Sequence, residues 1–355
     1  GNYVECIPST ELDSAGNWRV AWRSSHCISM VSDLVGRVVF GTLIVASLLV
    51  AWPVAVLGAC LRVWVSNGWR KSFDRRVADV LIVSLVLAWR LVFTLCPWIE
   101  LDIEGLREFQ AGLLAQPRRS AVLLCNHTSF LESILAVSCA PIARAGDFRV
   151  LVANKIFNIP LLGRVMRTMG LAEVPFKGSA DDVTDFRVDR AAMDERLSAF
   201  ECHVREGGIG SWFPEGSLNR SDPTQLQLFR AGAFGVPAKV DVEIWCMVQL
   251  GCSASWRLQD LMGGRPARIS VKFFRFCSSS AAFLSDAQAS IEAECGGSPK
   301  DRAEAVYLAN ATRERMQQVL NELASTGFAS RFVPEGDGRG SSGISSSQLR
   351  APLVQ

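Results

Sequence analysis

The sequence predicts an α/β domain preceded by a hydrophobic helical membrane segment. Short apolar runs alternate with helix-like stretches between residues 101 and 325, which is typical of an α/β domain. Residues 38–61 contain no charged side chain. Hydrophobic residues make up 49% of the 355 residues and the mean hydropathy is positive, so the chain is more apolar than an ordinary soluble protein. These observations together indicate contact with a membrane.

Five strands and three helices are predicted within the α/β domain. The predicted strands are 121–125, 149–153, 210–213, 243–249 and 268–276, and the predicted helices are 156–169, 183–205 and 300–324. The last helix carries one apolar stripe, which predicts a packing face. The sequence shows no internal repeat.

The uncharged stretch 38–61 is long enough to cross a membrane. As a helix its 24 residues would extend about 36 Å, compared with a hydrocarbon core of roughly 30 Å. Pro53 predicts a kink, and a buried helix of a soluble protein is the alternative interpretation. A second apolar stretch, 80–99, contains Arg90, and a charge at mid-membrane costs about 2.5 to 3.5 kcal/mol. We therefore predict an interfacial or re-entrant segment there rather than a second span.

The loop between the two apolar stretches is predicted to lie in the cytosol. It carries more basic than acidic side chains, which the positive-inside rule places on the cytosolic face and which suit anionic headgroups: Arg62, Arg70, Lys71, Arg75 and Arg76. With a single span, the rest of the chain stays on that side. The predicted organisation is an N-terminal tail (1–37), membrane-associated helices (38–99), the α/β domain (100–326) and a disordered Gly- and Ser-rich tail (327–355).

Charge and cysteine usage exclude several classes of protein. The net charge of +2 and the lack of an arginine-rich tract with aromatics argue against nucleic-acid binding. The 11 cysteines are scattered without a CxxC pair, which indicates buried thiols in a reducing compartment. We expect no metal site, because the sequence has neither HExxH nor a Cys/His cluster. His26 and His203 are expected in surface or capping positions.

The stretch LLCNHTSFLES, residues 123–133, is the first candidate for chemistry. Asn126 and His127 follow an apolar strand, and Glu132 comes five residues after the histidine. A carboxylate that accepts from one ring nitrogen fixes the tautomer and leaves the other nitrogen as a general base. Positions i and i+5 lie about 140° apart on a helix, so His127 must precede the helix for this pair to meet. Ser129 and Glu132 also fit a capping box, which would explain both without catalysis.

The stretch GSWFPEGSLNRSD, residues 210–222, is the second candidate. An apolar strand ends here at a Pro-Glu-Gly turn. Gly216 exposes backbone amides, and with Ser217, Asn219 and Arg220 it could form a phosphate-binding corner. Such a turn is weak support alone, and the similar FVPEGDGR at 332–339 is interpreted as coincidence.

Together and in this order, the two stretches resemble the glycerolipid acyltransferase family, best known for the 1-acyl-glycerol-3-phosphate acyltransferases. The family pattern NHxxxxD is matched by Asn126, His127 and Glu132, and its FPEGTRS-like motif is matched by residues 213–217. Residues 154–178 are similar to a second family block, in which Lys177 takes the place of a phosphate-binding basic residue. A fourth block is matched loosely by 242–249. The resemblance covers roughly 101–324 and implies a mixed central sheet flanked by helices.

The sequence departs from the family pattern at three positions. Glu132 stands where the family usually has aspartate, and its side chain is one methylene longer. Leu218 stands in place of the motif arginine, so Arg220 is the candidate for its role. Lys177 replaces an arginine and carries a point charge rather than a planar fork.

The resemblance implies acyl transfer from acyl-CoA, as a co-substrate and without a cofactor, to a lysophospholipid acceptor in the lipid bilayer, specifically lysophosphatidate. His127 is the implied general base, and Glu132 orients it. The implied substrate-binding residues are Asn126, Lys177, Glu215, Gly216, Ser217 and Arg220. Glu215 either bonds the acceptor glycerol or shapes the turn. The expected location is a membrane with the catalytic domain facing the cytosol, in the endoplasmic reticulum if the source is eukaryotic.

Two alternatives remain open at this stage, and a third is disfavoured. The acceptor could be glycerol 3-phosphate or another lysophospholipid, because acceptor choice depends on pocket shape rather than on the motifs. The chain could instead be a catalytically inactive membrane scaffold with the same fold. A soluble hydrolase is disfavoured, because residues 251–255 (GCSAS) lack the final glycine of a GxSxG elbow.

Overall fold

A seven-stranded mixed sheet forms the centre of the domain. The computed structural model describes residues 9–12, 18–21, 32–116, 119–176, 188–295 and 299–327. The strands are β1 Ser9–Leu12, β2 Trp18–Ala21, β3 Ile99–Glu104, β4 Ala121–Cys125, β5 Phe148–Ala153, β6 Ala172–Val174, β7 Ile209–Trp212, β8 Glu243–Leu250 and β9 Ala267–Cys277. The central order is β3-β9-β8-β4-β7-β5-β6, in which only β8 and β9 are antiparallel neighbours. β1 and β2 form a separate antiparallel pair.

Helices cover both faces of this sheet, which confirms the predicted architecture. They are α1 Asp33–Arg62, α2 Asn67–Leu95, α3 Leu106–Ala115, α4 Leu131–Cys139, α5 Leu162–Thr168, α6 Arg190–Arg205, α7 Gly235–Lys239, α8 Cys252–Ser255, α9 Ser280–Asp286, α10 Gln288–Cys295 and α11 Lys300–Ser325. Short 3₁₀ segments occupy Ile142–Asp147, Asn154–Asn158 and Ala231–Phe234.

Strand β4 lies between two hydrophobic cores. Leu123 faces the core formed with α1 to α4, and Leu124 faces the core formed with α6, α7, α9 and α11. All five β4 residues are buried. A strand covered on both faces reads as a continuous apolar run, which is why its bounds could be predicted without error.

The other predicted elements differ from the structure mainly at their ends. The predicted helix 156–169 is divided into a 3₁₀ segment and α5 around Pro160, and the predicted helix 183–205 is observed from Arg190 onward. Residues 177–187 and 328–355 lie outside the described residues, so Lys177 and the tail prediction are not described. Strands β1, β2, β3 and β6 were missed. β3 is an edge strand of alternating apolar and acidic residues, IELDIE, and β6 has only three residues.

Helices α1 and α2 are both long and apolar enough to cross a membrane by length and composition. α1 begins at Asp33, inside the predicted N-terminal tail, because the Ser32 hydroxyl caps it by accepting the Val35 N–H at 3.3 Å. The two helices pack along each other, and the Trp89 indole donates to the Ser47 hydroxyl at 3.0 Å. The N-terminal apolar region is therefore a helical hairpin.

The basic residues assigned to a loop belong to the helices: Arg62 ends α1, and the other four lie in α2. The connection between the helices spans only residues 63–66, and Arg70 to Arg76 lie in the first turns of α2, so the loop prediction was wrong. Arg90 does not break the helix. Its Nε and Nη2 donate to the carbonyls of Ser138 and Ala140, both at 2.7 Å. Because this charge is satisfied by the α/β domain, the cost of exposing it to hydrocarbon does not apply.

Candidate active site

The two candidate stretches meet at one edge of the sheet. His127 follows β4 and Phe213 follows β7, and these strands are parallel neighbours. The carboxyl ends of parallel strands open at the same edge, where loops commonly build binding sites. The sheet topology therefore brings together motifs that are far apart in the chain.

His127 and Glu132 are in hydrogen-bond contact. The Nδ1 atom of His127 lies 3.0 Å from Oε2 of Glu132. His127 lies in the loop between β4 and α4, and Glu132 is the second residue of α4, which is the arrangement that the spacing required. A carboxylate accepts from Nδ1–H, so Nε2 keeps a lone pair available for a proton. The geometry is that of a general base with an orienting acid.

Three donors fix the carboxylate of Glu132. Besides His127, it accepts the Thr128 N–H at 2.7 Å and the Thr128 hydroxyl. The Glu132 side chain is fully buried. These hydrogen bonds hold the carboxylate in one position beside the histidine.

The capping-box alternative is wrong. Helix α4 is capped at Phe130, and neither oxygen of Glu132 bonds the Ser129 backbone. The Ser129 hydroxyl instead donates to the Trp256 carbonyl at 2.8 Å and accepts the Leu131 N–H at 3.2 Å. The hydroxyls of Thr128 and Ser129 are thus committed to structural bonds, which argues against a serine or threonine nucleophile beside His127.

An aromatic ring stacks on the imidazole. The centroids of His127 and Phe213 are 3.8 Å apart with an interplanar angle of 17°. The histidine side chain is 14% exposed. Stacking and the Glu132 bond together hold the ring in one orientation while leaving part of it accessible.

Glu215 joins the Pro-Glu-Gly turn to the histidine. Its Oε1 accepts the His127 N–H at 2.8 Å, and its Oε2 accepts the Gln227 N–H at 3.0 Å. Burial raises the pKa of Glu215, and these two N–H donors act in the opposite direction. Both oxygens are occupied and only 2% of the residue is exposed. These are the contacts of a residue that shapes the turn rather than one that faces a ligand.

Asn219 holds the histidine backbone from the other side. Its N–H donates to the His127 carbonyl at 2.6 Å, and its side-chain amide donates to the Gln225 carbonyl at 2.6 Å. The loop that follows β7 therefore bonds both backbone polar groups of His127: Glu215 accepts its N–H, and Asn219 donates to its carbonyl. Sequence reasoning missed the role of Asn219 in fixing the base, because the contact depends on how the two loops meet.

The proposed phosphate corner is part of the same loop. Gly216 has a φ of +72°, a conformation that favours glycine, and closes the turn by donating to the Phe213 carbonyl at 3.0 Å. Ser217 is half-buried and Arg220 is exposed. Arg220 has no acidic partner among the residues that the structure describes. The structure thus places Gly216, Ser217 and Arg220 on the loop whose Asn219 N–H bonds the His127 carbonyl.

The comparison with protein families matches this region. Residues 101–249 match the family model described as Acyltransferase, a range that contains both motifs. This match identifies residues 101–249 as an acyltransferase domain and supports the resemblance to the glycerolipid acyltransferases. A search of solved structures finds similarity to the crystal structure of the 1-acyl-sn-glycerophosphate (LPA) acyltransferase, PlsC, from Thermotoga maritima. That match has 13% sequence identity and a TM-score of 0.47, and it covers 78% of this chain and 96% of that chain. No curated protein matches the sequence.

In this acyltransferase, Asn126 lies beneath the site. Its amide donates to the Gln249 carbonyl and accepts the Gln249 N–H, both at 2.8 Å, and the residue is fully buried. The side chain thereby extends the pairing of β4 with β8 by one step. Both the oxygen and the nitrogen of its amide thus bond the backbone of the neighbouring strand.

We expect the Asn126→Ala substitution to lower the free energy of unfolding by about 1 to 3 kcal/mol, because it leaves the buried polar groups of Gln249 without partners. Denaturant unfolding of the full chain in detergent micelles measures this change. Asn310→Ala is the matched control, because Asn310 is exposed on α11. An equal decrease in the free energy of unfolding of both variants would show that the Gln249 contacts do not contribute to stability.

We expect Glu215→Gln to lower kcat by about 10- to 100-fold, because a small displacement of a catalytic group is costly. Glutamine has one acceptor oxygen, so either His127 or Gln227 loses its bond. Glu243→Gln is the control: Glu243 is also buried, but it begins β8, at the opposite end of the sheet from the site. Initial-rate kinetics measure kcat for both variants. An equal decrease in kcat in Glu215→Gln and Glu243→Gln would contradict the prediction.

Buried thiols near the dyad are poor nucleophiles. Burial raises the pKa of the Cys125 thiol and of the Cys252 thiol, which keeps both protonated. Among the described residues, no group of three or more His, Cys, Asp or Glu side chains is arranged to hold a metal ion. His127 and Glu132, in contact at 3.0 Å, remain the candidate catalytic residues of the site.

Proposed function

We propose that this acyltransferase moves a fatty acyl group from acyl-CoA to the free hydroxyl of lysophosphatidate, giving phosphatidate for phospholipid synthesis. The observation that carries the proposal is the contact between His127 Nδ1 and Glu132 Oε2 at 3.0 Å, beside a glycine turn at the open edge of the sheet. The acyltransferase match over residues 101–249 supports the reaction class.

The proposed reaction is a direct transfer with His127 as the general base. Nε2 takes the proton of the acceptor hydroxyl while the hydroxyl oxygen attacks the thioester carbonyl carbon. The new C–O ester bond forms, the C–S bond breaks, and the CoA thiolate recovers the proton from the imidazolium. Glu132 stabilises the imidazolium through Nδ1. A thioester is already activated, so the reaction needs no covalent acyl-enzyme and no cofactor.

The loop after β7 is the proposed site of the acceptor phosphate. Gly216, Ser217 and Arg220 would provide backbone amides, a hydroxyl and a charge, and Lys177 would add a second cation. Phosphate groups favour such combinations of N–H donors and basic side chains. Glu215 is proposed to hold this loop in place rather than to bind the glycerol.

The helical hairpin is proposed to bring the site to a lipid surface. Large apolar side chains on both helices are exposed, including Leu49, Val50, Leu87 and Leu91. Basic residues of α2, such as Arg70 and Lys71, would face anionic headgroups on the cytosolic side. The lipid acceptor would then enter from the bilayer and acyl-CoA from the cytosol, at the endoplasmic reticulum in a eukaryotic source.

The test is acyl transfer from labelled oleoyl-CoA by membranes that contain the full chain. Lysophosphatidate, glycerol 3-phosphate and lysophosphatidylcholine are supplied separately, and membranes without the protein give the background. Labelled phosphatidate formed with lysophosphatidate alone supports the proposal. Product with another acceptor only would move the assignment to that acceptor, and no product with any of the three would leave the inactive scaffold as the better interpretation.

A further inference from the structure

A second arginine lies at the Gly216 turn. Arg230 immediately precedes the 3₁₀ segment Ala231–Phe234, and its backbone N–H donates to the Pro214 carbonyl at 2.8 Å. The loop that leaves β7 thus returns to the turn from which it started. Residue 230 is held next to the turn by a backbone bond.

The side chain of Arg230 lies directly on Gly216. A Cβ atom placed on Gly216 would collide with Cδ and Nε of Arg230. The backbone φ of +72° favours glycine at this position, and the arginine side chain occupies the space that a Cβ atom would take. The guanidinium of Arg230 therefore lies against the backbone of the turn.

The guanidinium of Arg230 is available to a ligand. The residue is exposed, and it has no carboxylate partner and no side-chain hydrogen bond within the described part of the chain. Arg313, in contrast, is committed to the loop, because it donates to the carbonyls of Gln227 and Leu226 at 2.8 and 2.7 Å. The N–H donors of a free guanidinium match two oxygens of a phosphate group.

The same turn is tied to the catalytic base. Gly216 follows Glu215, whose carboxylate accepts the His127 N–H at 2.8 Å, and it bonds Phe213, which stacks on the imidazole. A phosphate at this turn would consequently be anchored beside the reacting hydroxyl. Leu218, two residues further along the loop, provides no charge.

We propose that Arg230 binds a substrate phosphate group at the Gly216 turn and thereby determines specificity for a phosphorylated substrate. This inference rests on the proposed acyl transfer, and it adds a residue that the sequence motifs do not contain. The phosphate belongs either to the acceptor lipid or to the CoA moiety of the donor. Both sources present the same chemistry, so kinetics must separate them.

The kinetic test compares Arg230→Gln with Arg230→Lys and with the control Arg302→Gln. Arg302 is exposed without an acidic partner in the described residues. It is remote from the loop, because it lies 11 residues, or about 16 Å along α11, from Arg313, which bonds the loop. We expect Arg230→Gln to raise the KM of one substrate by about 10- to 100-fold, the lysine variant to recover part of the loss, and the control to match wild type.

The substrate whose KM rises identifies the source of the phosphate. A higher KM for lysophosphatidate assigns Arg230 to the acceptor, and a higher KM for oleoyl-CoA assigns it to the donor. Unchanged KM values for both substrates in Arg230→Gln would overturn the inference, even if kcat falls. Thermal unfolding of each variant in detergent shows whether the loop remains folded.

A binding measurement separates this inference from the proposed reaction. Calorimetric titration of the full chain in micelles compares lysophosphatidate with monoacylglycerol, and coenzyme A with pantetheine. If wild type shows no acyl transfer, the proposed function fails, yet a preference for a phosphorylated ligand that Arg230→Gln loses would still support the phosphate site. Equal binding of the phosphorylated ligands by wild type and Arg230→Gln would reject the site regardless of activity.

Discussion

We expect the His127→Ala substitution to lower kcat by about 10²- to 10⁴-fold. The imidazole is the titratable group at the junction of both motif loops, and its Nδ1 is already committed to Glu132 at 3.0 Å. Without Nε2, the acceptor hydroxyl must lose its proton to water as it attacks the thioester. The loss should fall on kcat rather than on KM, because the phosphate contacts remain.

The control for this variant is His203→Ala. His203 is also largely enclosed, and its Nε2 lies 2.7 Å from the Asp147 carbonyl, but it belongs to α6 rather than to either motif loop. We expect its replacement to leave kcat near wild type. The measurement is initial rates at saturating oleoyl-CoA, normalised to protein in the membrane. Wild-type activity in His127→Ala would remove the general base from the mechanism.

The dyad could be predicted from the sequence because its members are neighbours in the chain. A buried strand with unambiguous bounds ends at Cys125, and the loop that follows must precede the next helix. With His127 in that loop and Glu132 in the first turn of the helix, the two side chains can form a hydrogen bond. The contact therefore depends only on the conformation of residues 127–132.

The residues that hold the dyad could not be assigned in the same way. Glu215 lies 88 positions from His127, and Asn126 bonds Gln249 at a separation of 123 positions. An acidic or amide side chain in a motif looks the same in sequence whether it faces a substrate or a backbone N–H. The packing of β7 and β8 against β4 is what places the Asn126 amide against the Gln249 backbone and the Glu215 carboxylate against the His127 N–H.

The apolar hairpin shows the same limit at a larger scale. Hydropathy identified the uncharged stretch of α1, because that signal is carried by consecutive residues. Arg90 led to the prediction of an interfacial or re-entrant segment rather than a second span. That prediction used the free-energy cost of an unpaired charge in lipid, because the sequence does not show the hydrogen-bond partners of Arg90. The carbonyls of Ser138 and Ala140 remove that cost. A charge inside an apolar helix therefore indicates the face that packs on protein.

We expect Glu132→Gln to lower kcat by a factor comparable to that of His127→Ala, up to about 10⁴-fold, while keeping the size of the side chain. The carboxylate of Glu132 accepts from His127 and twice from Thr128. An amide has one acceptor oxygen and presents N–H donors at the other position, so it cannot serve all three groups. It also lacks the negative charge that stabilises the imidazolium.

The double variant His127→Ala with Glu132→Gln tests whether the two residues act as one unit. If Glu132 acts only through the histidine, its replacement should cost nothing further once His127 is absent, because effects within a catalytic unit are strongly non-additive. Multiplicative losses would mean that Glu132 touches substrate independently. Glu132→Asp completes the series: the shorter acid keeps the charge but retracts it from Nδ1, so activity between wild type and Glu132→Gln would show that reach as well as charge positions the base.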